Sequence, residues 1–239
     1  MTVKLYEVGG YVRDELLGIK SKDIDFAVEA SSWEELRWWL DLNNFEVFLE
    51  TPQFFTIRAR FPRAFGIGAW EKYRGLTADF VLCRKDGAYS DGRRPDEVTP
   101  GTIYDDLARR DFTVNAIARD VSTGELLDPW HGEEDLKVKW LRTVGRPEDR
   151  IREDPLRALR ALRFAVTKDF RLDMDLLDVL RAYWLPSLLV RISEERRREE
   201  LHKALHHNTF KTLNILQGLG QEFRDAALGD IWLKPTTEK

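Results

Sequence analysis

The sequence predicts an α+β fold, on three observations. In roughly the first half, short apolar stretches alternate with polar residues and are separated by Gly and Pro, the period of half-buried strands. In the second half, apolar residues recur at helical spacing behind helix-starting signals. The length of 239 residues, with 43% hydrophobic and 33% charged residues, suits one large or two small globular domains. A strand-rich domain is expected over 1–130, a helical one over 131–215 and a short C-terminal segment over 216–239.

Composition narrows the function classes. No apolar run is long enough to cross a bilayer, and MTVKLYEVGG has no signal-peptide core, so no membrane association is expected. The single cysteine, Cys83, excludes an internal disulfide and fits a reducing, cytoplasmic setting. No Cys/His cluster has zinc-ligand spacing. A net charge of −4 argues against blanket nucleic-acid affinity, while 38 Lys and Arg leave room for a local basic face. The chain shows no internal repeat.

Residues 3–8 form a short apolar stretch entering Gly9-Gly10, where the missing Cβ lets backbone approach a ligand. A helix over 11–17, stopped by Gly18, points its amides at that turn and makes it a phosphate cradle. Residues 22–28 alternate as a strand, with Ile24, Phe26 and Val28 toward a core. Asp23 and Asp25 share the other face. Neighbouring carboxylates repel unless a cation binds between them, and hard oxygen donors beside a phosphate cradle point to Mg²⁺. The chemistry implied is two-metal phosphoryl or nucleotidyl transfer. Taken singly, each motif also suits an ordinary turn or solvated strand residues; their order joins them.

Ser31 or Ser32 caps a helix through WEELRWWLDL, whose tryptophans read as packing residues. Phe45, Val47 and Leu49 alternate as a strand. Phe55, Ile57, Ala59 and Phe61 do likewise, with Thr56, Arg58 and Arg60 opposite. Residues 62–76, with Gly66, Gly68 and Gly75, read as a loop. Residues 77–84 form a strand in which Asp79 is the candidate third carboxylate, or an exposed end residue. Residues 85–105 read as a long loop, of the kind that is functional or mobile; its Arg93 and Arg94 suit either phosphates or a solvated tip. In DLARRDFTVNAIARD, Arg109 and Arg110 suit a triphosphate or ribose at a helix entry capped by Asp111. LLDPWHGEEDLKVKWLRTVG reads as a strand end, a Pro turn and an amphipathic helix linking two domains; His131 is assigned no catalysis.

A helix is expected over 153–165, with Pro155 in its first turn and Leu156, Leu159, Leu162 and Phe164 as its stripe. Asp154 and Arg157 lie three apart on one face. They suit a surface ion pair, or an acceptor–donor pair matching cytosine and adenine and leaving guanine and uracil unpaired. Ser193 opens a helix through EERRREELHKALHH, whose arginines 196–198 suit an RNA backbone or a solvated face. A further helical stretch reaches about residue 219, and LKPTTEK reads as a tail.

The set GGYVRDELLG, KDIDFAV, YSDGRRPDEV, DLARRDFTVNAIA, LLDPWHGEEDL, LRTVG, REDPLRALRALRFA and SEERRREEL resembles, in order, the class II tRNA nucleotidyltransferases. These are the CCA-adding enzymes and bacterial poly(A) polymerases of the DNA polymerase β superfamily, here over residues 5–207. The resemblance implies a polymerase-β-type nucleotidyltransferase head with a mixed β-sheet, followed by an all-helical neck. It implies that Asp23 and Asp25 bind Mg²⁺, with Asp79 as the third acid. Gly9, Gly10 and Arg13 would border the triphosphate, and Arg109, Arg110, Asp111 and Asn115 would hold the nucleotide's ribose and phosphates. Asp154 and Arg157 would read the base, braced by the helix that Glu195 and Arg196 begin.

The activity so implied is template-independent addition of C and A from CTP and ATP to a tRNA 3′ end, releasing pyrophosphate. Its alternatives are poly(A) synthesis, CC-only or A-only addition, and a silent RNA-binding module. Family members commonly continue through body and tail domains that hold tRNA. The chain ends soon after the neck, so a compact enzyme, a partner protein supplying the grip or a homodimer is the expected substitute.

Overall fold

The computed structural model describes residues 3–21, 24–64, 68–87 and 98–229. Asp23, Gly66, Arg93, Arg94, most of YSDGRRPDEV and the LKPTTEK tail lie outside them. The chain forms two compact units, the first running to Val138 and the second starting at Lys139.

The first unit is built on β1 (Lys4–Val8), α1 (Gly10–Leu16), β2 (Asp25–Glu29), α2 (Trp33–Leu42), β3 (Glu46–Thr51), β4 (Thr56–Arg60) and β5 (Thr77–Leu82). It continues with β6 (Arg84–Asp86), β7 (Val98–Pro100), α3 (Ile103–Ala108), β8 (Ala118–Asp120), β9 (Leu126–Leu127) and α4 (Gly132–Val138). Seven strands make one sheet in the order β3-β4-β5-β2-β1-β8-β9. Within it only β2 and β5 run parallel; the other neighbouring strands are antiparallel, so the sheet is mixed as expected.

One face of this sheet carries the core. Ile24, Phe26 and Val28 are buried, as the alternation of β2 predicts, with Ile57, Ala59 and Phe80 from the neighbouring strands. Phe26 stacks on Phe80 at 5.3 Å and meets Tyr73 edge-on at 5.2 Å. Each such side chain contributes roughly 1.5–3 kcal/mol on leaving water. Helix α2 starts at Ser32, whose hydroxyl accepts from the Glu35 amide, and buries Leu36 and Leu40. Trp33 and Trp39 pack against the core, but Trp38 is 61% exposed because it falls on the helix's outer face.

Several expectations are corrected. Leu49 does not alternate inward with Val47: a bulge between them shifts the register, and Leu49 is exposed. Residues 68–73 of the expected 62–76 loop form a 3₁₀ segment whose Tyr73 is buried. The expected loop over 85–105 includes the paired strands β6 and β7 and the first turn of α3. FTVNAIA does not open an α-helix. It makes one 3₁₀ turn, Thr113–Asn115, and passes into β8.

The second unit holds β10 (Trp140–Leu141), α5 (Pro147–Glu153), α6 (Leu156–Thr167), β11 (Arg171–Leu172), α7 (Met174–Leu180) and α8 (Leu185–Leu189). Helices α9 (Glu194–His207), α10 (Thr209–Gly218) and α11 (Gln221–Leu228) complete it. α6 packs on α9, and Leu159 and Leu162 of the one and Leu201 and Ala204 of the other are buried. Residues 153–165 are not one helix. A proline disfavours the helical conformation in the residue before it, so Asp154 is extended (φ −143°, ψ 99°) between α5 and α6. α11 adds a helix within the expected C-terminal segment.

Candidate active site

The site grows from strand register. Val8, the last residue of β1, pairs with Asp25, and Asp25 pairs in parallel with Asp79 of β5. Side chains alternate along strands, so Asp25 and Asp79 share the face opposite Phe26 and Phe80. Asp25 is exposed and Asp79 partly so. The next residue after Val8 is Gly9, so the acids sit across from the start of the glycine turn. On β4, Arg58 stands opposite Asp79 and grips it with two bonds, Nε–Oδ1 and Nη2–Oδ2, both 2.7 Å.

Gly9 has φ +66°, and a Cβ there would lie 2.8 Å from the Arg110 guanidinium. The turn is therefore glycine both for conformation and for the arginine against it. At Gly10 a Cβ would meet only ordinary contact, from Arg13 at 3.5 Å. Arg13 is buried and braces the turn from behind. Its Nε donates to Asp14 at 2.8 Å and its Nη1 to the Asn115 side-chain oxygen at 2.6 Å. The Asn115 amide donates in turn to Asp111 at 2.9 Å, and the Asn115 carbonyl accepts from Arg110 at 3.2 Å. Asp111 also accepts from the Phe112 amide at 2.8 Å. Thus Gly9, Arg13, Arg110, Asp111 and Asn115 form one connected group. Arg109 joins it through Asp106.

Asp106 escaped the sequence reading. It is 1% exposed and divides its carboxylate, with Oδ1 accepting from Arg109 and Oδ2 from Arg110. Burial pushes its carboxyl up, but the two guanidiniums outweigh burial and hold it below the usual range. Its i, i+3 and i, i+4 spacing from the arginines that follow α3 was the available signal.

Glu7 was also missed. It shares the core face with Leu5 yet is fully buried, accepting from Tyr73 and Lys72 at 2.7 Å each and from Arg119 at 3.0 Å. Burial, then Glu7, pushes the Tyr73 phenol up. Thus the strand leading into the turn is tied to residues 72, 73 and 119.

LLDPWHGEEDL builds the support under Asn115. Asp128 caps α4, accepting from the amides of Gly132 at 2.7 Å and Glu133 at 2.8 Å. A Cβ on Gly132 would lie 2.2 Å from the Thr113 carbonyl oxygen, and buried Asp135 accepts from the Thr113 hydroxyl at 2.6 Å. His131, with φ +57°, turns the chain there.

In the second unit, Asp154 and Arg157 do not share a helical face. The Asp154 carboxylate accepts from Arg196 at 3.2 and 3.4 Å and from the Leu156 amide at 3.2 Å. Arg157 is buried and donates to the Arg150 carbonyl at 3.1 Å and to Glu153 at 2.8 Å. Arg197, expected in a basic surface patch, is buried and donates to the Ala226 carbonyl at 2.7 Å.

A mixed seven-stranded sheet with carboxylates on adjacent strands beside a glycine turn is a polymerase-β-type arrangement. The chain belongs to the family described as Poly A polymerase head domain, which it matches over residues 5–142. Among curated relatives, the CCA-adding enzyme of Geobacillus thermodenitrificans is 36% identical over 206 residues, covering 84% of this chain and 45% of that one. The Bacillus stearothermophilus CCA-adding enzyme, solved in complex with CTP, superposes with TM-score 0.73 at 31% identity, over 90% of this chain and 47% of that one. The Thermotoga maritima CCA-adding enzyme, complexed with tRNA, gives TM-score 0.74 at 28% identity, over 98% and 50% of the two chains. The chain spans about half the length of the curated relatives it matches. No helix among the described residues is long and apolar enough to cross a membrane.

Proposed function

We propose that this chain carries the nucleotidyl-transfer chemistry of a CCA-adding enzyme, joining C and A from CTP and ATP to a tRNA 3′ end with release of pyrophosphate. The observation that carries the reading is register: Val8 opposite Asp25, and Asp25 opposite Asp79, put two acids across from the start of the glycine turn. The names of the relatives agree with it.

The donor set fits a hard divalent cation such as Mg²⁺. Its oxygens come from adjacent strands on one open face, and a guanidinium already pairs with Asp79 there. Asp25 and Asp79 would hold the metal, with Asp23 as a further ligand inferred from its sequence position. When bound, Mg²⁺ supplies neutralisation of phosphate charge and a lowered pKa for the attacking hydroxyl.

The chain's own groups do the rest. Gly9 keeps side-chain bulk out of the turn, and Gly10 continues it into α1. Arg109 and Arg110, partly exposed, would bind phosphate oxygens while Asp106 fixes their direction. Asn115, Arg13 and Asp111 would hold the ribose side of the pocket in shape. Asp154 and Arg157 would read the base edge, with Arg196 setting the angle of Asp154. The catalytic head over 1–130, the neck over 131–215 and a cytoplasmic setting belong to this proposal. So does a partner or second copy that helps grip RNA.

The test is extension of a tRNA lacking CCA with each nucleoside triphosphate and Mg²⁺, sized by gel. Addition stopping after three residues supports the proposal. A long ladder with ATP alone would establish poly(A) synthesis, the reading favoured by the family's description. Stopping after CC, or adding only A, would define a partial enzyme, and no extension would leave a binding module.

A further inference from the structure

We propose that Arg58 is the resident counter-cation of Asp79 and competes with a divalent metal for that carboxylate. The proposal rests on reading Asp79 as a metal-facing acid, and concerns what controls that site.

Three neighbouring strands set it up. Arg58 of β4 is in register with Asp79 of β5, and Asp79 with Asp25 of β2, so the three side chains form one row across the sheet. Residues directly opposite on one face have Cβ atoms about 4.5–5.5 Å apart, close enough for direct pairing. Arg58 uses that proximity fully. Its planar fork meets both Asp79 oxygens at 2.7 Å, the bidentate geometry that a lysine's point charge does not reproduce. The fork takes one lone pair on each oxygen and neutralises the carboxylate, so a metal approaching Asp79 competes with Arg58 for its charge and its outward lone pairs.

The pair is nonetheless open to exchange. The side chains of Arg58 and Asp79 are 54% and 25% exposed, so water and ions reach them, and ion pairs of this exposure are weak. Arg60, two residues on along the same strand face, pairs instead with Glu46 at 3.0 Å and lies over the Phe48 ring, away from the acids. Arg58 is the arginine that the register delivers to Asp79. The apparent metal affinity is then the intrinsic affinity reduced by the fraction of time Asp79 is open. In this way Asp79 stays paired without metal, and the pair sets a threshold concentration for filling.

The test is Mn²⁺ binding to the 239-residue chain, read from the electron paramagnetic resonance signal of free Mn²⁺. Wild type is compared with Arg58→Gln, Arg58→Lys, Asp79→Asn and the Arg58→Gln/Asp79→Asn double variant, each shown by circular dichroism to be folded. Arg58→Gln should bind Mn²⁺ about two- to fivefold more tightly, the range expected for loss of a competing exposed pair. Arg58→Lys, which keeps the charge and loses the fork, should tighten binding less. Asp79→Asn should weaken binding, and the double variant should match it.

Unchanged or weaker binding by Arg58→Gln, beside weakening by Asp79→Asn, would overturn the role of Arg58 and leave the site reading intact. A gain that persists in the double variant would also overturn it, since Arg58 would then act through its general field. If Asp79→Asn binds Mn²⁺ as wild type does, Asp79 is no ligand and both readings fall.

Discussion

Replacing Asp106 by Asn tests how the arginine pair is held. The carboxylate is 1% exposed, and each oxygen serves one guanidinium, Oδ2 accepting from Arg110 at 2.9 Å. Asn keeps the shape, but its amide nitrogen must face one arginine donor-to-donor, and two cations lose their shared counter-charge. Removing one partner of a buried pair costs about 3–5 kcal/mol. The Arg109 and Arg110 side chains are 23% and 20% exposed and can turn partly to water, which brings the expected loss to about 2–3 kcal/mol. For a unit of this size that corresponds to roughly 6–12 °C in melting temperature.

The assay is thermal unfolding by circular dichroism for both proteins across pH, with ATP binding alongside. The Asp106 carboxyl lies below its ordinary value in the folded chain. Its stabilisation is therefore fully present above the unfolded value near 3.9 and lost as pH falls through the folded value. The gap between wild type and Asp106→Asn should stay constant at neutral pH and close only in strong acid, with weakened ATP binding throughout the folded range. A neutral-pH gap below about 1 kcal/mol, or one that widens on acidification, would refute this account of Asp106.

Further substitutions probe the supports around it. Gly132→Ala places a methyl 2.2 Å from the Thr113 carbonyl and should cost about 3 kcal/mol or more, measured by urea unfolding; wild-type stability would mean the α4 approach is adjustable. Gly9→Ala, strained at φ +66° and pressed on Arg110, should lose about 1–2 kcal/mol and at least tenfold in nucleotide affinity, read by ATP titration. Asp154→Ala should loosen the preference for CTP and ATP in competition assays, and an unchanged preference would count against base reading. Cys83 is buried, and burial first, then Asp106, pushes its thiol up. A thiol reagent should therefore modify it only on unfolding, and rapid labelling of the native chain would contradict that placement.

How much of this the sequence disclosed depends on range. Period-two alternation put Ile24, Phe26 and Val28 inside and Asp25 outside, because strand faces are decided by neighbours in the chain. The bond that Arg13 donates to Asn115 spans a hundred residues, and the Glu7 cluster joins β1 to residues 72, 73 and 119; no local spacing reports such meetings. Elsewhere a legible local rule lost to a stronger one. Helical periodicity ran through Asp154, but Pro155 broke it, and Asp154 turned to Arg196. Alternation carried Leu49 inward on paper, and a bulge turned it out. Asp106 was open to reading, since its spacing from both arginines is helical. The adjacent arginines drew attention away from the acid that holds them.

The pleat of β2 ties chemistry to folding. Phe26 enters the aromatic cluster through the same alternation that turns Asp25 outward. One inserted or deleted residue would swap the two, thrusting a charge into the hydrophobic interior and a phenyl ring into water. A mispaired strand thus forfeits its outward acid and its packing together, so a slip in register at this position cannot pass unnoticed by the fold.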